Sequence, residues 1–272
     1  MQFVKTENIK KGMRLARPIY NRKGVLLFDR NSLITAQAID SIRNFGLLGI
    51  YILEPAEPLP PMSAEDIEFE RFQTITISSI QEELTKILAT GNQNRAQIIA
   101  SMIIKKYGHL DKKINFYQDL RSKEDYIYRH SLNVAILCTM ISHVLNIRLD
   151  ELEHTVCAAL VHDIGKLGDT SESVFENVED GDELYRLCEE QLETASLIER
   201  AFPGEGAAIR RICVQAVNKR MSMLGVEEAG SNKKMVMGAK ILLVANRYDE
   251  ITAMNLRGTA QSEVKAIQEF MD

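Results

Sequence analysis

The pattern of hydrophobic and polar positions changes at a cluster of prolines, and its two sides predict different structures. Four prolines lie within the seven residues 55–61, which is typical of a semi-rigid linker. The pattern therefore predicts a first domain over residues 1–54, a proline-rich linker over residues 55–63 and a second domain over residues 64–272.

The first domain is predicted to combine short strands with one helix. Apolar runs over residues 13–20 and 25–28 flank the sequence Asn-Arg-Lys-Gly, which is typical of a hairpin turn. Ser32 is a candidate cap for a helix ending near Phe45, stopped by Gly46, and residues 49–53 follow as a returning strand. This order predicts a small β-β-α-β domain, and its lack of histidine and cysteine gives no indication of catalysis.

Beyond the linker, apolar positions recur at helical spacing almost throughout. Ser63 followed by Asp66 is a capping-box pattern at the start of a long helix that reaches about Ala89. The apolar stripe of this helix is predicted to be core, with a homodimer seam through residues 63–89 as the alternative. Further helices are predicted over residues 95–107, 122–145, 150–162, 184–202, 205–224 and 235–254. The predicted fold class is mainly α, an all-helical bundle preceded by the small domain.

Composition and charge narrow the classes of function. The chain has 272 residues, 45% apolar and 26% charged, as globular proteins do, and its net charge of -5 argues against a DNA-coating protein. The apolar run 241–245 is too short for a membrane span of about 20 residues, and residues 1–17 lack the apolar core of a secretory signal. The four cysteines form no Cys-x-x-Cys pair and are predicted to be reduced core thiols. We therefore expect a cytoplasmic protein that binds neither DNA nor membranes.

Helical phase separates the five histidines. His130 shares its helical face with apolar residues four, seven and eleven positions further on, so it is predicted to be buried, whereas His143 points to the other side. His109 follows a helix-ending glycine and His154 lies in a polar first turn. Both are predicted to be surface residues.

His162 and Asp163 lie side by side at the end of an apolar helix. An imidazole nitrogen and a carboxylate oxygen are ligands that borderline divalent metals accept. Gly165 then allows the backbone to turn, and Lys166 offers a cation for a phosphate. A helix cap, or a polar cluster that satisfies its own hydrogen bonds in the core, is the alternative interpretation.

Three sequence blocks resemble one protein family. They are His130-Ser-Leu-Asn-Val-Ala-Ile-Leu137, the segment Ala158 to Lys166 with its His-Asp-Ile-Gly-Lys core, and Ile241 to Thr252. These blocks resemble the HD-domain metal-dependent phosphohydrolases, and within them the HD-GYP group of bacterial cyclic di-GMP phosphodiesterases. Residues 12–27 also resemble the small domain that often precedes HD-GYP domains.

The resemblance implies an HD-domain helical bundle that holds one to three metal ions, usually iron or manganese. Carried over by motif, His130, His162 and Asp163 match metal ligands, and Lys166 matches a phosphate-facing lysine. Asp163 and Lys166 are therefore the candidate catalytic residues. Asn246 occupies the position of a late aspartate ligand and is a weak fourth candidate.

The chain also departs from the family pattern. No histidine follows His162, and the Gly-Tyr-Pro signature is absent because Pro203 is the only proline after the linker. The family's remaining ligand positions fall on Gln191, on Gln215 and Ala216, and on Asn246. Amide oxygens carry no charge, so two imidazoles and one carboxylate remain. This set suffices for one weakly held ion, but it does not suffice for a bridged pair.

An acidic segment follows the His-Asp pair. Residues 169–193 contain ten acids and one base, a local charge of -9. A dianionic dinucleotide approaching such a rim is repelled and binds more slowly. The alternative is a solvated acidic loop that faces away from the site.

These observations predict an HD-GYP-like signalling protein with a degenerate metal site, which is not a competent cyclic di-GMP phosphodiesterase. It is expected to act by binding a signalling protein or a cyclic dinucleotide, with one weakly held iron or manganese ion or none. The alternative is an active phosphohydrolase that uses a single metal.

Overall fold

A computed structural model describes residues 1–21, 23–45, 47, 49–59, 61–109, 125–167, 180–204, 206–223, 234–253 and 261–271, without the side chains of 180–188, 190, 191 and 221. The strands are β1 (Gln2–Lys5), β2 (Arg14–Leu15), β3 (Ile19–Tyr20), β4 (Leu26–Phe28) and β5 (Gly49–Leu53). The helices are α1 (Ala36–Asn44), α2 (Ala64–Thr90), α3 (Ala96–Tyr107), α4 (Tyr126–Val144), α5 (Leu149–Val161), α6 (Asp180–Ala201), α7 (Gly206–Met223), α8 (Met237–Thr252) and α9 (Glu263–Met271). The mainly α fold class is confirmed.

Several expectations lie outside the described residues. They are Gly46 as a helix stop, Ser122 as a helix start, residues 169–179 of the acidic segment, the side chain of Gln191, and Cys188 as a core thiol. The rest of the acidic segment is helical, because α6 begins at Asp180, four residues before the predicted start.

The small N-terminal domain is built around β5. This strand pairs antiparallel with β1 on one side and β2 on the other, while β3 and β4 form the predicted hairpin. A Cβ at Gly49 would overlap the carbonyl oxygen of Val4, so only glycine allows β1 to pair there. The strand β1 was not predicted, and it completes a three-stranded sheet.

Helix α1 begins three residues later than predicted. Thr35 is its cap, with Oγ1 accepting a hydrogen bond from the Ala38 amide at 3.1 Å. The prediction of Ser32 as the cap was wrong, because the carbonyl of Ser32 accepts from the amide of Leu15 on β2 at 2.9 Å. That pairing holds the chain extended through residue 34.

Helix α2 has the predicted capping box, in which Ser63 and Asp66 bond each other's backbone amides. It ends at Gly91, whose φ of 68° places it in the left-handed region that favours glycine. Its stripe of Ile80, Leu84 and Ile87 is at most 2% exposed and belongs to the main helical core. The core interpretation of the stripe is confirmed, and the homodimer through residues 63–89 stays a prediction.

Helix α4 occupies the centre of the helical bundle. It packs against α2, α3, α5 and α8, and α7 closes the bundle against α5 and α8. Cys138, Cys157 and Cys213 are free and buried in this core, as predicted, and burial raises the pKa of Cys138 and Cys213. No helix among the described residues is long and apolar enough to cross a membrane.

Two contacts among the described residues join the small domain to helix α2. Arg17 Nε lies 3.1 Å from Glu70 Oε1. Gly24 lies against the side chains of Arg71 and Ile75. The contacts on α2 therefore fall within residues 70–75.

The capping box gives a first prediction. Replacing Ser63 with alanine is expected to lower the free energy of unfolding by about 1 kcal/mol, because it removes the hydroxyl that accepts from the Asp66 amide. Urea unfolding followed by circular dichroism measures the change. Ser79→Ala is the matched control, since among the described residues that hydroxyl bonds only the Ile75 carbonyl, one turn earlier in the same helix. Equal stability of the two variants would contradict the prediction.

Candidate metal centre

Three helices bring the predicted site residues together. His130 lies in the second turn of α4, while His162 and Asp163 directly follow α5, which packs on α4. Asn246 lies on α8, which packs on both helices. His130, His162 and Asp163 are only 3%, 7% and 9% exposed, so their polar atoms meet in the core rather than in solvent.

The polar atoms of this cluster converge on a small volume. Asp163 Oδ2 lies 3.5 Å from His130 Nε2 and 3.6 Å from His162 Nε2. Asn246 Oδ1 lies 2.7 Å from His130 Nε2 and 3.3 Å from His162 Nε2. Among the described residues, His130, His162 and Asp163 form one group whose ligand atoms all lie within 4.8 Å of one another.

The hydrogen bonds behind the rings determine which nitrogens face this volume. His130 Nδ1 donates to Asp249 Oδ2 at 2.7 Å, and His162 Nδ1 donates to the carbonyl of Ala159 at 2.8 Å. Burial lowers the pKa of His162 despite the opposing effect of Asp163, so this ring is neutral at pH 7. Its Nε2 therefore points a lone pair, not a proton, at the centre of the cluster.

A divalent cation fits these donors. Two ligands of a tetrahedral ion with bonds of about 2.1 Å are separated by about 3.4 Å, close to the 3.5 and 3.6 Å observed from Asp163. Burial by itself raises the pKa of Asp163, but His162, Lys166 and His130 outweigh it and hold the pKa well below its usual range. Asp163 is thus a carboxylate, and a His₂-carboxylate set is one that iron and manganese accept.

Lys166 completes the cluster on its open side. Its Nζ donates to Asp163 Oδ2 at 2.9 Å, and its side chain is 21% exposed. A short 3-10 turn over Ile164–Leu167 carries it, and the Gly165 amide fixes that turn to α6 by donating to Thr194 Oγ1 at 3.1 Å. The lysine is therefore held beside the ligand carboxylate, at the edge of the cavity.

A small cavity adjoins the cluster. It has a volume of about 40 Å³ and is lined by His162, Asp163, Lys166, Thr194, Ala195, Cys213, Val214, Ala216, Val217, Arg220, Leu242, Leu243 and Asn246. At about 10–15 Å³ per water, it holds a few waters or a group of similar size. Besides Lys166, a second cationic side chain, Arg220, lines this cavity. Arg220 Nη1 donates to Glu250 Oε1 at 2.7 Å. Burial by itself would raise the pKa of Glu250, but Arg220 lowers it overall.

The positions where the resemblance requires further histidines contribute no ligand group that the structure describes. Gln215 Oε1 accepts from the backbone amide of Val236 at 2.8 Å, so this oxygen is engaged at the start of α8. Ala216 contributes an apolar part of the cavity wall. The cluster therefore consists of His130, His162, Asp163 and Asn246.

The sequence did not indicate which residues hydrogen-bond to the candidate ligand His130, directly or through one another. Asp249 and Asn133 are fully buried and bonded to each other, and Gln73 bonds Asn133 from α2. Each is a polar residue at a core phase of its helix, a signal that would have singled them out. Of the histidines expected at the surface, His109 and His143 are exposed, whereas His154 is half-buried.

The comparisons with known proteins support the same family. Residues 127–245 match the family model of the HD domain. The match supports membership of this segment in the HD superfamily. The HD domain so defined contains His130, His162 and Asp163, and Asn246 is the residue that follows its end. No curated protein and no solved structure matches the chain.

Proposed function

We propose that this protein is an HD-GYP-like signalling protein whose site holds one divalent ion and does not hydrolyse cyclic di-GMP. His130, His162 and Asp163 would be the ligands, with the Asn246 amide oxygen as a weak fourth. The observation that carries the proposal is the convergence of two imidazole Nε2 atoms and one carboxylate oxygen on a single volume. Iron or manganese is the ion that the donor set and the family resemblance favour.

The site supports one ion better than two. A metal pair that clamps both the attacking and the leaving oxygen of a phosphodiester needs two complete ligand sets. Here Gln215 is bonded to the α8 backbone, Ala216 offers no donor, and Asn246 replaces an acid. The sequence that follows Lys166 carries a local charge of -9 over residues 169–193, which disfavours binding of a dianion.

The cavity beside the ligands supports recognition of an anionic group. A bound divalent ion supplies Lewis-acid polarisation of a phosphoryl oxygen. Lys166 would hold and orient such a group through its ammonium, and Arg220, which lines the same cavity, would offer N–H donors. The cavity volume of about 40 Å³ is of the size that a few waters or one phosphoryl group would occupy.

The test is a calorimetric titration of the metal-free full chain with manganese and then with cyclic di-GMP, followed by a turnover assay. We expect one equivalent of manganese per chain and no detectable hydrolysis of the dinucleotide. Binding of two ions, or hydrolysis that His162→Ala abolishes, would overturn the proposal. Absence of any metal binding would favour the self-satisfied polar cluster.

A single-metal phosphohydrolase is the second candidate, favoured by Lys166 and Arg220 lining the same cavity as the ligands. Manganese-dependent hydrolysis of a small aryl phosphate or phosphodiester distinguishes it from the first. Activity that requires His130, His162 and Asp163 together would establish it, and inactivity of the metal-loaded chain would reject it.

A further inference from the structure

A chain of buried hydrogen bonds runs from α2 to the ring of His130. Gln73 Nε2 donates to Asn133 Oδ1 at 3.4 Å, and Asn133 Nδ2 donates to Asp249 Oδ1 at 3.1 Å. The other oxygen of Asp249, Oδ2, accepts from His130 Nδ1 at 2.7 Å. Four residues on α2, α4 and α8 are thus linked in series.

The linked groups are withdrawn from water. Gln73 is 2% exposed, Asn133 and Asp249 are 0% exposed, and His130 is 3% exposed. A buried polar group without a partner costs free energy that no solvent contact recovers at this depth. Each bond in the series therefore restricts the orientation of the next group.

The chemistry of the groups fixes the direction of the series. An ionised Asp249 only accepts hydrogen bonds, so Asn133 must present its Nδ2 to it. Asn133 Oδ1 then faces Gln73, which donates to it through Nε2, because Gln73 Oε1 only accepts. Rotation of the Asn133 amide by half a turn would place Oδ1 against the Asp249 carboxylate and Nδ2 against Gln73 Nε2. Two acceptors and two donors would then face each other.

We propose that Gln73 is a positioning residue for the metal ligand His130. By donating to Asn133 it fixes the amide that orients Asp249, and Asp249 keeps the proton of His130 on Nδ1 and the lone pair of Nε2 on the ion. This inference rests on the proposed metal site. It extends that site to a helix outside the matched HD domain, since residue 73 precedes residue 127 by more than 50 positions.

The test compares Gln73→Leu with Thr76→Val, a matched control on the same helix. Thr76 is 1% exposed, and its hydroxyl has no hydrogen-bond partner within the part of the chain that the structure describes. Both changes remove a buried polar group with little change of shape, but only the first removes a donor from the series. Loss of a hydrogen-bond partner of a metal ligand costs about 10- to 100-fold in metal affinity, so two bonds further out we expect about 3- to 10-fold for Gln73→Leu and no change for Thr76→Val.

Calorimetric titration of the full chains with manganese measures these affinities. If the wild-type chain binds manganese and Gln73→Leu binds equally well, the positioning role is wrong while the metal site stands. If the wild-type chain binds no manganese, the proposed metal site fails first, and the metal-free readout below decides the positioning role by itself.

A tautomer measurement on the metal-free chain reports orientation directly. With ¹⁵N-labelled histidine, the His130 ring is assigned by the signals lost in His130→Asn. We expect protonation on Nδ1 in the wild type and in Thr76→Val, and a mixture of Nδ1 and Nε2 tautomers in Gln73→Leu. An unchanged His130 tautomer in Gln73→Leu would overturn the inference. If Gln73→Leu does not fold, Gln73→Met provides the same comparison, since a thioether of similar length does not donate to Asn133.

Discussion

Exchange of Asp163 for asparagine is expected to weaken manganese binding by at least about 100-fold, because loss of a residue that merely orients a ligand already costs about 10- to 100-fold. Asp163 is the only carboxylate in the ligand group. Without its charge, the ion meets neutral donors and the ammonium of Lys166, which now lies 2.9 Å from the carboxylate oxygen. Calorimetric titration of metal-free protein measures the loss.

The control for this exchange is Asp150→Asn. Asp150 lies in the first turn of α5, the helix that Asp163 follows, and its side chain is 60% exposed. The substitution removes the same charge at the opposite end of α5, about 20 Å along the helix from the cluster. Its manganese affinity should therefore match the wild type within about twofold, as expected for a solvent-screened charge. An Asp163→Asn protein that keeps wild-type affinity would exclude Asp163 as a ligand.

Replacement of Gly238 with valine is expected to lower the free energy of unfolding by about 3 kcal/mol, a large overpacking effect that corresponds to roughly 6–12 °C in Tm. A Cβ at Gly238 would lie 2.5 Å from Thr155 Oγ1 and 3.0 Å from Ile212 Cδ1. Thr155 is buried and donates to the carbonyl of Glu151 at 2.7 Å, so it cannot turn aside without losing a bond. Thermal unfolding of the metal-free chain measures the effect.

Met237→Val is the control for a valine in the first turn of α8. Met237 is the neighbouring residue on α8 and is 44% exposed, so the substitution introduces the same side chain without a clash. We expect it to cost less than about 1 kcal/mol. A similar loss for both substitutions would show that the close approach of α8 to α5 does not require glycine. Because α8 carries Asn246 and Asp249, the Gly238→Val protein should also bind manganese more weakly.

Local signals along the chain predicted the parts of the fold that neighbouring residues determine. The Ser63 and Asp66 capping box marked the start of α2 because both partners lie within one turn. Helical phase placed His130 in the core and His143 at the surface because burial of one helix face repeats along the sequence. The convergence of His130 with His162 and Asp163 was expected from the family resemblance, since periodicity alone does not say which buried faces meet.

Other features depended on residues far apart in the chain. Asp249 bonds His130 across 119 positions, and Gln73 bonds Asn133 across 60. Periodicity indicates that such a polar residue is buried, but not which partner satisfies it. The predicted start of α1 was wrong for the same reason. Ser32 and Thr35 are both competent caps, and the backbone hydrogen bond between Ser32 and the distant Leu15 decides between them.

The point at which the small domain touches α2 has a mechanical consequence. With 27 residues at about 1.5 Å each, the helix is about 40 Å long. If the small domain contacted one end of it, a small tilt at that end would displace the opposite end by a large distance. The contacts with Glu70, Arg71 and Ile75 instead lie within three residues of Gln73, about 4.5 Å along the axis. A tilt of α2 about these contacts would therefore leave Gln73 nearly in place, whereas rotation of the helix about its axis or sliding along it would move Gln73 directly.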